Sequence, residues 1–290
     1  MVPDRSGRTA VPVTANCPRI LSIAGSDSGG GAGIQADIKT ITMLGGHAMT
    51  AITAITAQNT LGVQAVHQVP TKMVLDQIEA VVGDIGVDAI KIGMIGNAKT
   101  ALAVADYLMQ IKVPVVFDPV MVATSGSELA DAETIAAFEK IMKLATVVTP
   151  NIPEAMTLGG EDVILSNGCH LLLKGGHSDE PKITDRLFVQ GGGVYEWFSD
   201  RVDTVHTHGT GCSLASALAE GLARGLSLED SVDRGISFVQ AAIRSAPAIG
   251  LEHGPVGHTL GIVPFYLALE HLDQTGFSAQ ELAARWNDKP

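Results

Sequence analysis

The sequence predicts an α/β fold built on a mostly parallel, doubly wound sheet, and two observations carry this prediction. From residue 20 to residue 176, short apolar runs that stop at glycine or a polar residue alternate with segments of helical period. Two β-rich runs around three glycines, within residues 187–198, predict an antiparallel hairpin at one edge. Such a sheet carries helices on both faces and binds ligands beyond the carboxyl ends of its strands.

The elements are predicted in chain order from these runs. The first strand, residues 20–24, leads into the glycine-rich segment 25–33. Further strands are expected at 48–58, 88–93, 114–118, 145–149 and 169–174. Helices are expected at 34–44, 74–82, 97–110, 131–144, 213–225, 227–246 and 262–273. Asp131 is the predicted N-cap of its helix, and Ser278 with Glu281 forms a capping box for a last short helix.

The composition limits the domain organisation and the partners. We expect residues 1–18 to be a disordered leader, 19–274 a single domain, and 275–290 a helical tail. The formal net charge of −12 argues against non-specific binding to nucleic acid or to anionic membranes, which needs a positive field. No apolar run is long enough for a membrane span. The three cysteines are few and far apart, which favours a reducing compartment, the cytoplasm, over a disulfide framework or zinc site.

The segment 206–225 predicts an anion site. Gly209, Thr210 and Gly211 form a small, flexible loop, and a helix face of leucines recurs every four residues after Ser213. A loop of this kind presents free backbone N–H groups at the positive end of a helix, where phosphate is the usual ligand. Cys212 lies at the junction, where the helix dipole is expected to stabilise a thiolate. The alternative is an ordinary helix start with a half-buried structural cysteine.

Polar side chains recur at the predicted strand ends. They are Asp27, Gln58, Asp118, Asn151, Glu154 and Lys174. Each could be a cap or a solvated turn, but their collective placement predicts a ligand site. The segment 25–33 loosely fits a dinucleotide fingerprint, yet residues 49–59 carry no carboxylate and no Walker A loop is present. We therefore expect the glycines to approach a small ligand.

Seven motifs, in order, resemble those of one family. They are residues 23–40, 57–60, 91–94, 118–126, 149–154, 174–177 and 208–212. Together they resemble the hydroxymethylpyrimidine/phosphomethylpyrimidine kinases of the ribokinase-like superfamily. The resemblance implies an ATP- and Mg²⁺-dependent enzyme that phosphorylates 4-amino-5-hydroxymethyl-2-methylpyrimidine and then its monophosphate, in thiamine diphosphate biosynthesis.

The resemblance also implies roles for the substrate-binding residues. Gly25, Asp37 and Gln58 would hold the aminopyrimidine, and Met94 would pack beside it. The residues 121–128 would form a lid over the phosphates. Thr124 stands where we expect a lysine in the family, so the lid of this chain lacks that cation.

A second set of implied roles concerns phosphoryl transfer. Asp118 and Glu154 would serve the Mg²⁺ and phosphate region, and Lys174 would contact the ATP phosphates. ATP would also be bound by Asn151, Thr210 and Gly211. The residues 209–212 would form the anion hole, with Cys212 as the proposed base.

Two alternatives to this function are considered. Pyridoxal kinases of the same superfamily bind a ring of similar size, but some that resemble this family carry a cysteine in the lid, and residues 122–126 here have none. A non-catalytic nucleotide or pyrimidine sensor is the other alternative. Retention of Asp118, Glu154, Lys174 and Cys212 argues against that alternative. A homodimer is expected.

Overall fold

The computed structural model describes residues 17–123, 126–176 and 182–260. Its centre is a nine-stranded sheet in the order β3-β2-β1-β4-β5-β6-β7-β8-β9. The strands are β1 (Arg19–Asp27), β2 (His47–Asn59), β3 (Gly62–Gln68), β4 (Ala89–Ile92), β5 (Val115–Phe117), β6 (Val147–Val148), β7 (His170–Leu173), β8 (Lys182–Phe188) and β9 (Val194–Asp200). The six strands from β2 to β7 in this order are parallel, while β3, β8 and β9 pair antiparallel at the two edges. The predicted fold class is confirmed.

Helices pack on both faces of the sheet. They are α1 (Gly33–Met43), α2 (Thr71–Asp84), α3 (Ala98–Leu108), α4 (Ala132–Met142), α5 (Ile152–Thr157), α6 (Glu161–Leu165), α7 (Thr210–Ala223) and α8 (Leu228–Arg244). As predicted, Asp131 caps α4, because its side chain accepts a hydrogen bond from the backbone N–H of Thr134. Among the described residues, no helix combines the length and the apolar character needed to cross a membrane.

Two large apolar clusters form most of the core, one on each face of the sheet, and a third, small cluster contains Phe238, Ala242 and Val256. The first cluster contains Phe138 of α4 and Val104 of α3, which pack against the strands together with α2. The second contains Ile41 of α1, Leu218 of α7 and Ile236 of α8. The first cluster is the larger, and both are dominated by aliphatic side chains, as the low aromatic content of the sequence implies.

The structure also contains elements that the sequence analysis did not predict. β3 pairs with β2, but most of its side chains are exposed, so it has no alternating apolar pattern. β8 begins at Lys182, upstream of the predicted hairpin, within a mainly polar run. The short helices α5 and α6 are too brief to show a helical period. The leader up to residue 16, Thr124, the predicted helix 262–273 and the predicted tail 275–290 lie outside the described residues.

Candidate active site

A cavity of about 1120 Å³ opens at the carboxyl ends of the parallel strands. Parallel strands end at the same edge of a sheet, so the polar residues that follow them converge there. The predicted site residues that line the cavity are Gly25, Gln58, Met94, Asp118, Asn151, Glu154, Lys174, Gly209, Thr210, Gly211 and Cys212. The cavity is therefore large enough for two substrates and contains all but one of the predicted site residues.

Asp37 is the exception. Its carboxylate is fully buried between α1, β1, β4 and α7, and it does not line the cavity. It pairs with Lys91 and accepts hydrogen bonds from the hydroxyl groups of Ser22 and Ser216. The expected contact between Asp37 and the aminopyrimidine is corrected accordingly. Both carboxylate oxygens of Asp37 are bonded to protein groups, so this side chain stabilises the elements that carry the site.

One end of the cavity is suited to a flat ring. A Cβ atom built on Gly25 would lie 2.9 Å from the sulfur atom of Met94, so glycine lets this methionine pack directly against the backbone of β1 at the cavity wall. Met94 is held by its carbonyl oxygen, which accepts a hydrogen bond of 2.6 Å from the Thr53 hydroxyl. The Gln58 amide group lies 3.1 Å from the Thr56 hydroxyl at the same end. An apolar slot with one amide group offers both packing and hydrogen bonding to a heteroaromatic ring.

Asp27 organises the glycine-rich loop that borders this slot. Its carboxylate accepts hydrogen bonds from the backbone N–H groups of Gly29, Gly31 and Ala32, at 2.8–2.9 Å. Burial raises the pKa of Asp27, but the hydrogen bonds from His208 and from the loop lower it more, and the net pKa is below the ordinary value. The loop is thus held by an ionised side chain of β1.

His208 is a site residue for which the sequence analysis predicted no role. Its Nε2 atom lies 3.1 Å from Oδ2 of Asp27 and 3.2 Å from the Gln58 amide nitrogen. It connects the glycine-rich loop and the ring slot to the segment that begins α7. The available signal was its position in the motif 208–212, directly before Gly209.

The opposite end of the cavity carries the charged side chains of Lys174 and Asp118. Lys174 places Nζ 2.7 Å from Oδ1 of Asp118, which also accepts a hydrogen bond of 3.2 Å from the Thr149 hydroxyl. Burial lowers the pKa of Lys174, but the carboxylates of Asp118 and Glu154 raise it more. The ammonium group is therefore charged at neutral pH, in a partly enclosed place where charge interactions are strong.

Asn151 and Glu154 form a capping box at the start of α5. The Asn151 side chain accepts from the Glu154 N–H, and the Glu154 carboxylate accepts from the Asn151 N–H, both at 2.8 Å. Burial, with a further contribution from Asp118, raises the pKa of Glu154 despite the charge of Lys174. Two buried carboxylates thus share one lysine, and a second cation would relieve their repulsion.

These carboxylates fit a magnesium ion that is held mainly by other ligands. Among the described residues, no group of three or more histidine, cysteine or acidic side chains is arranged to hold a metal ion. Mg²⁺ at kinase sites commonly takes one or two carboxylates, with substrate phosphates and water completing its octahedral shell. Asp118 and Glu154 provide oxygen ligands of this kind, and both line the cavity.

The start of α7 faces the same region. Gly209 precedes the helix with φ of +91°, and a Cβ atom there would lie 1.8 Å from the carbonyl oxygen of Gly31. Glycine is therefore required both for the left-handed backbone and for the close approach of the two loops. A Cβ atom on Gly211 would lie 3.2 Å from Nζ of Lys174, which places the lysine beside the helix terminus. Backbone N–H groups and a cation converge on one point.

Cys212 lies in this first turn, but its titration differs from the expectation. Burial raises the pKa of its thiol to about 11, with contributions from the carboxylates of Asp37 and Asp118, although Lys91 acts in the opposite direction. The sequence analysis expected the helix dipole to stabilise a thiolate. Desolvation is the larger effect here, so the side chain is a thiol at neutral pH.

Residues 121–123 and 126–128, the described parts of the segment 121–128, lie at the cavity. Val122 and Glu128 form an antiparallel bridge, and the Ala123 N–H donates to the carbonyl oxygen of Ser127 at 2.8 Å. Val122, Ala123 and Gly126 line the cavity. The role of the segment 121–128 as a phosphate lid stays a prediction.

Comparison with known proteins is consistent with this geometry. The model of the phosphomethylpyrimidine kinase family matches residues 27–257. The hydroxymethylpyrimidine/phosphomethylpyrimidine kinase of Rhizobium meliloti is 45% identical over 255 residues, which cover 82% of this chain and 96% of that protein. The thiamine biosynthesis bifunctional protein ThiED of Geobacter sulfurreducens is 44% identical over 256 residues, or 83% of this chain. The match covers 52% of that protein, so the chain spans about half of its length.

Solved structures share the fold. The ADP complex of Bacillus subtilis pyridoxal kinase superimposes with a TM-score of 0.77 at 32% identity, covering 84% of this chain and 98% of that one. The phosphomethylpyrimidine kinase of Clostridium difficile 630 gives a TM-score of 0.68 at 37% identity, covering 78% and 99%. The family match extends over most of the sequence and includes most of the residues that line the cavity. The chain therefore belongs to the phosphomethylpyrimidine kinase family.

Proposed function

We propose that this enzyme transfers the γ-phosphoryl group of ATP to the alcohol of 4-amino-5-hydroxymethyl-2-methylpyrimidine and then to the resulting monophosphate. The diphosphate formed would serve thiamine diphosphate biosynthesis. The observation that carries the proposal is the continuity of one cavity, with a ring slot at one end and Lys174 beside the α7 terminus at the other. A phosphate placed between these ends would meet a ring-bound acceptor and the anion-binding groups together.

The residues of the proposed site form two groups, one that binds the ring and one that stabilises charge. Gly25, Gln58 and Met94 would hold the ring, so that its hydroxymethyl group points along the cavity. Lys174 and the N–H groups of Gly211 and Cys212 would stabilise the charge on the transferred phosphoryl oxygens. Phosphoryl transfer depends mostly on such positioning and electrostatic stabilisation.

ATP and Mg²⁺ are the proposed cofactors. Asn151, Lys174, Thr210 and Gly211 would contact the nucleotide, and Asp118 with Glu154 would hold the metal ion. The ion, when bound, neutralises charge on the phosphate oxygens. The Asn151 side chain caps α5. We expect this capping contact to hold the side chain in place beside the nucleotide.

Pyridoxal kinase activity is the second candidate, because pyridoxal kinases share the fold at 32% identity. The higher identity to hydroxymethylpyrimidine/phosphomethylpyrimidine kinases and the absence of cysteine from residues 122–126 favour the pyrimidine. We keep a homodimer in the cytoplasm as a prediction, which light scattering and cell fractionation would test.

One experiment distinguishes these functions. The protein is incubated with ATP, Mg²⁺ and a panel of pyrimidine and pyridine alcohols, and the phosphates added to each are counted by mass. We expect two phosphates on the aminopyrimidine, one or none on the pyridine alcohols, and stoichiometric ADP release. Lys174→Met is the negative control. Exclusive phosphorylation of pyridoxal would replace the proposed function, and absence of ADP release with every alcohol would favour a sensor.

A further inference from the structure

We propose that His258, which lies outside the cavity, is a positioning residue that holds the anion-binding start of α7 in its active geometry. This inference deepens the proposed function and rests on it. The contact that suggests it is a hydrogen bond of 2.9 Å between Nε2 of His258 and the hydroxyl oxygen of Ser213. Both side chains are buried, and His258 is 4% exposed.

The Ser213 hydroxyl group lies between two partners, the Gly209 carbonyl oxygen at 2.7 Å and Nε2 of His258 at 2.9 Å. Its one proton goes to the carbonyl oxygen when the neutral ring carries its proton on Nε2, and to Nε2 when the ring carries its proton on Nδ1. Burial, together with the charges of Lys39 and His208, lowers the pKa of His258 to about 4. The ring is thus neutral at physiological pH, and in either tautomer Nε2 holds the Ser213 hydroxyl group through one hydrogen bond.

The chain of contacts ends at the peptide that opens the anion site. The Gly209 carbonyl accepts a hydrogen bond from the Ser213 N–H at 2.9 Å, and the Ser213 hydroxyl group lies 2.7 Å from the same oxygen. No side chain caps this helix, so the orientation of the Gly209 peptide, with its φ of +91°, determines where the next N–H groups point. His258 fixes the hydroxyl group, and the hydroxyl group fixes this peptide.

The backbone that carries His258 is itself anchored on both sides of the site. The Gly257 N–H donates to the Ala242 carbonyl of α8 at 2.8 Å. The Val256 N–H donates to the carbonyl oxygen of His208 at 3.3 Å, and Pro255 bridges to His208. The segment 254–258 therefore connects α8 to the residue that precedes Gly209. It forms a rigid support on the far side of the anion-binding turn.

A histidine with a purely structural role would contribute only to stability, whereas a positioning role predicts a loss specific to phosphoryl transfer. The test compares His258→Met, which lacks the ring nitrogen that bonds Ser213, with His258→Gln, which carries an amide group near the position of Nε2. We expect His258→Met to lower kcat about tenfold or more, with KM for the alcohol changed less than about twofold. His258→Gln should recover most of the rate.

Ser213→Ala and Ser231→Ala provide a matched pair. Ser231 is buried in α8 and donates to the carbonyl oxygen of Ser227 at 2.7 Å, which is the same local bond four residues back, away from the anion site. We expect Ser213→Ala to lower kcat as His258→Met does, and Ser231→Ala to leave kcat unchanged. The double variant His258→Met/Ser213→Ala should be no worse than the single variants, because both act through one peptide.

Two measurements keep the inference separable from the proposed function. Calorimetric binding of ADP with aluminium fluoride, a mimic of the transferred phosphoryl group, should weaken about tenfold in His258→Met, while ADP alone binds as in the wild type. If the wild type binds the mimic but leaves the aminopyrimidine unphosphorylated, the proposed function is wrong. The inference is then decided by whether His258→Met binds the mimic more weakly than the wild type. Equal binding of the mimic by both proteins, or equal losses of kcat in His258→Met and His258→Gln, would overturn the inference.

Nitrogen NMR of the labelled protein tests the contact directly. A neutral His258 ring is expected between pH 5.5 and 8, and its Nε2 resonance should shift in Ser213→Ala, which removes the hydroxyl partner. An Nε2 resonance that is the same in the wild type and in Ser213→Ala would contradict the proposal.

Discussion

Nζ of Lys91 lies 2.9 Å from both carboxylate oxygens of Asp37, and neither side chain is exposed to solvent. Burial lowers the pKa of Lys91, but Asp37 and the nearby groups Cys212 and Asp118 raise it more. The Ser216 hydroxyl of α7 and the Ser22 hydroxyl of β1 complete the surroundings of the carboxylate. The pair thus joins the helix that carries the anion site to the centre of the sheet.

The first prediction concerns the stability of this pair. Asp37→Asn leaves the Lys91 ammonium buried without its counter-charge, so we expect the free energy of unfolding to fall by about 3–5 kcal/mol. Urea denaturation followed by circular dichroism measures this change. Asp76→Asn is the control, because Asp76 forms an exposed pair with Lys72, and pairs of that kind contribute less than about 1 kcal/mol.

Ring selectivity provides the opposing outcome. Suppose that Asp37→Asn has the same free energy of unfolding as the wild type but a changed KM for the aminopyrimidine relative to pyridoxal. Asp37 would then contribute to recognition of the ring. The double variant Asp37→Leu/Lys91→Met is included in case Asp37→Asn does not fold. Removing both charges of a buried pair is often tolerated where removing one is not.

Asp37 shows why the sequence predicts which strand ends meet at the cavity but not which side chains reach it. Polar residues after parallel strands were correctly predicted to converge, because strand order and direction place them at one edge of the sheet. Asp37 belongs to a motif rich in site residues, but it lies on the side of α1 that faces the sheet. Side-chain direction on a helix, and the burial of Lys91 opposite, depend on packing between segments far apart in the sequence.

The second prediction concerns Gln58. Gln58→Ala removes the amide group that lies at the ring slot, and a ring nitrogen or amino group would lose a partner there, at a cost of about 1–3 kcal/mol. We expect KM for the aminopyrimidine to rise about tenfold while KM for ATP stays within twofold. Steady-state kinetics with each substrate varied in turn measure both constants. Equal increases in the two constants would show that Gln58 has no specific role in binding the ring. Gln64→Ala, in the exposed strand β3, serves as the control.

The third prediction concerns Asp118, whose carboxylate holds Lys174 and lies beside Glu154. Asp118→Asn removes one charge from the proposed metal site, so kcat/KM should fall by about 10²-fold or more, and the Mg²⁺ concentration for half-maximal rate should rise. Titration of the initial rate with Mg²⁺ at saturating ATP gives both quantities. Unchanged turnover with an unchanged Mg²⁺ requirement would show that neither Asp118 nor its pair with Lys174 serves the metal region.

The fourth prediction concerns pH and His258. Because the folded protein lowers the pKa of this ring to about 4 from the ordinary 6.5, the unfolded chain takes up the proton first as pH falls. The stabilisation is complete above pH 6.5 and is lost as pH falls towards 4, with a slope of up to about 1.4 kcal/mol per pH unit. Lys39 and His208 are the charged and titratable groups that act on the ring.

The measurement is the difference between the wild type and His258→Gln in free energy of unfolding, from pH 4.5 to pH 7.5. Taking the difference cancels the carboxylates that titrate in both proteins. We expect the wild type to lose stability relative to the variant over the acidic half of this range. A constant difference would mean that His258 titrates alike in the folded and unfolded states.

The fold was more predictable than the site because its signal is periodic. Buried parallel strands and their covering helices leave apolar repeats that any short window shows, and these elements appear within a few residues of their predicted positions. β3 escaped prediction because both of its faces are largely exposed. His208 and His258 escaped because a histidine side chain shows its role only through its neighbours, and these come from distant segments.

The last prediction concerns Cys212. With a pKa of about 11, its thiol should react slowly with iodoacetamide at pH 7, whereas the exposed Cys17 reacts readily and serves as the internal control. Mass spectrometry of digested protein follows both sites. Alkylation of Cys212 should accelerate as the pH rises towards 11. If Cys212 is modified as fast as Cys17 at neutral pH, Cys212 is a thiolate there, as first expected from the helix dipole.

Cys212→Ser then separates a base from a member of the anion hole. The first acceptor is an alcohol, which must lose a proton, whereas the second is a phosphate monoester that is largely ionised at neutral pH. A base at Cys212 predicts a fall in kcat of about 10²-fold or more for the first phosphorylation and a smaller fall for the second. An anion-hole role predicts equal falls, because both transfers stabilise the same phosphoryl charge. The raised pKa favours equal falls, and single-turnover measurements of each step decide between the two roles.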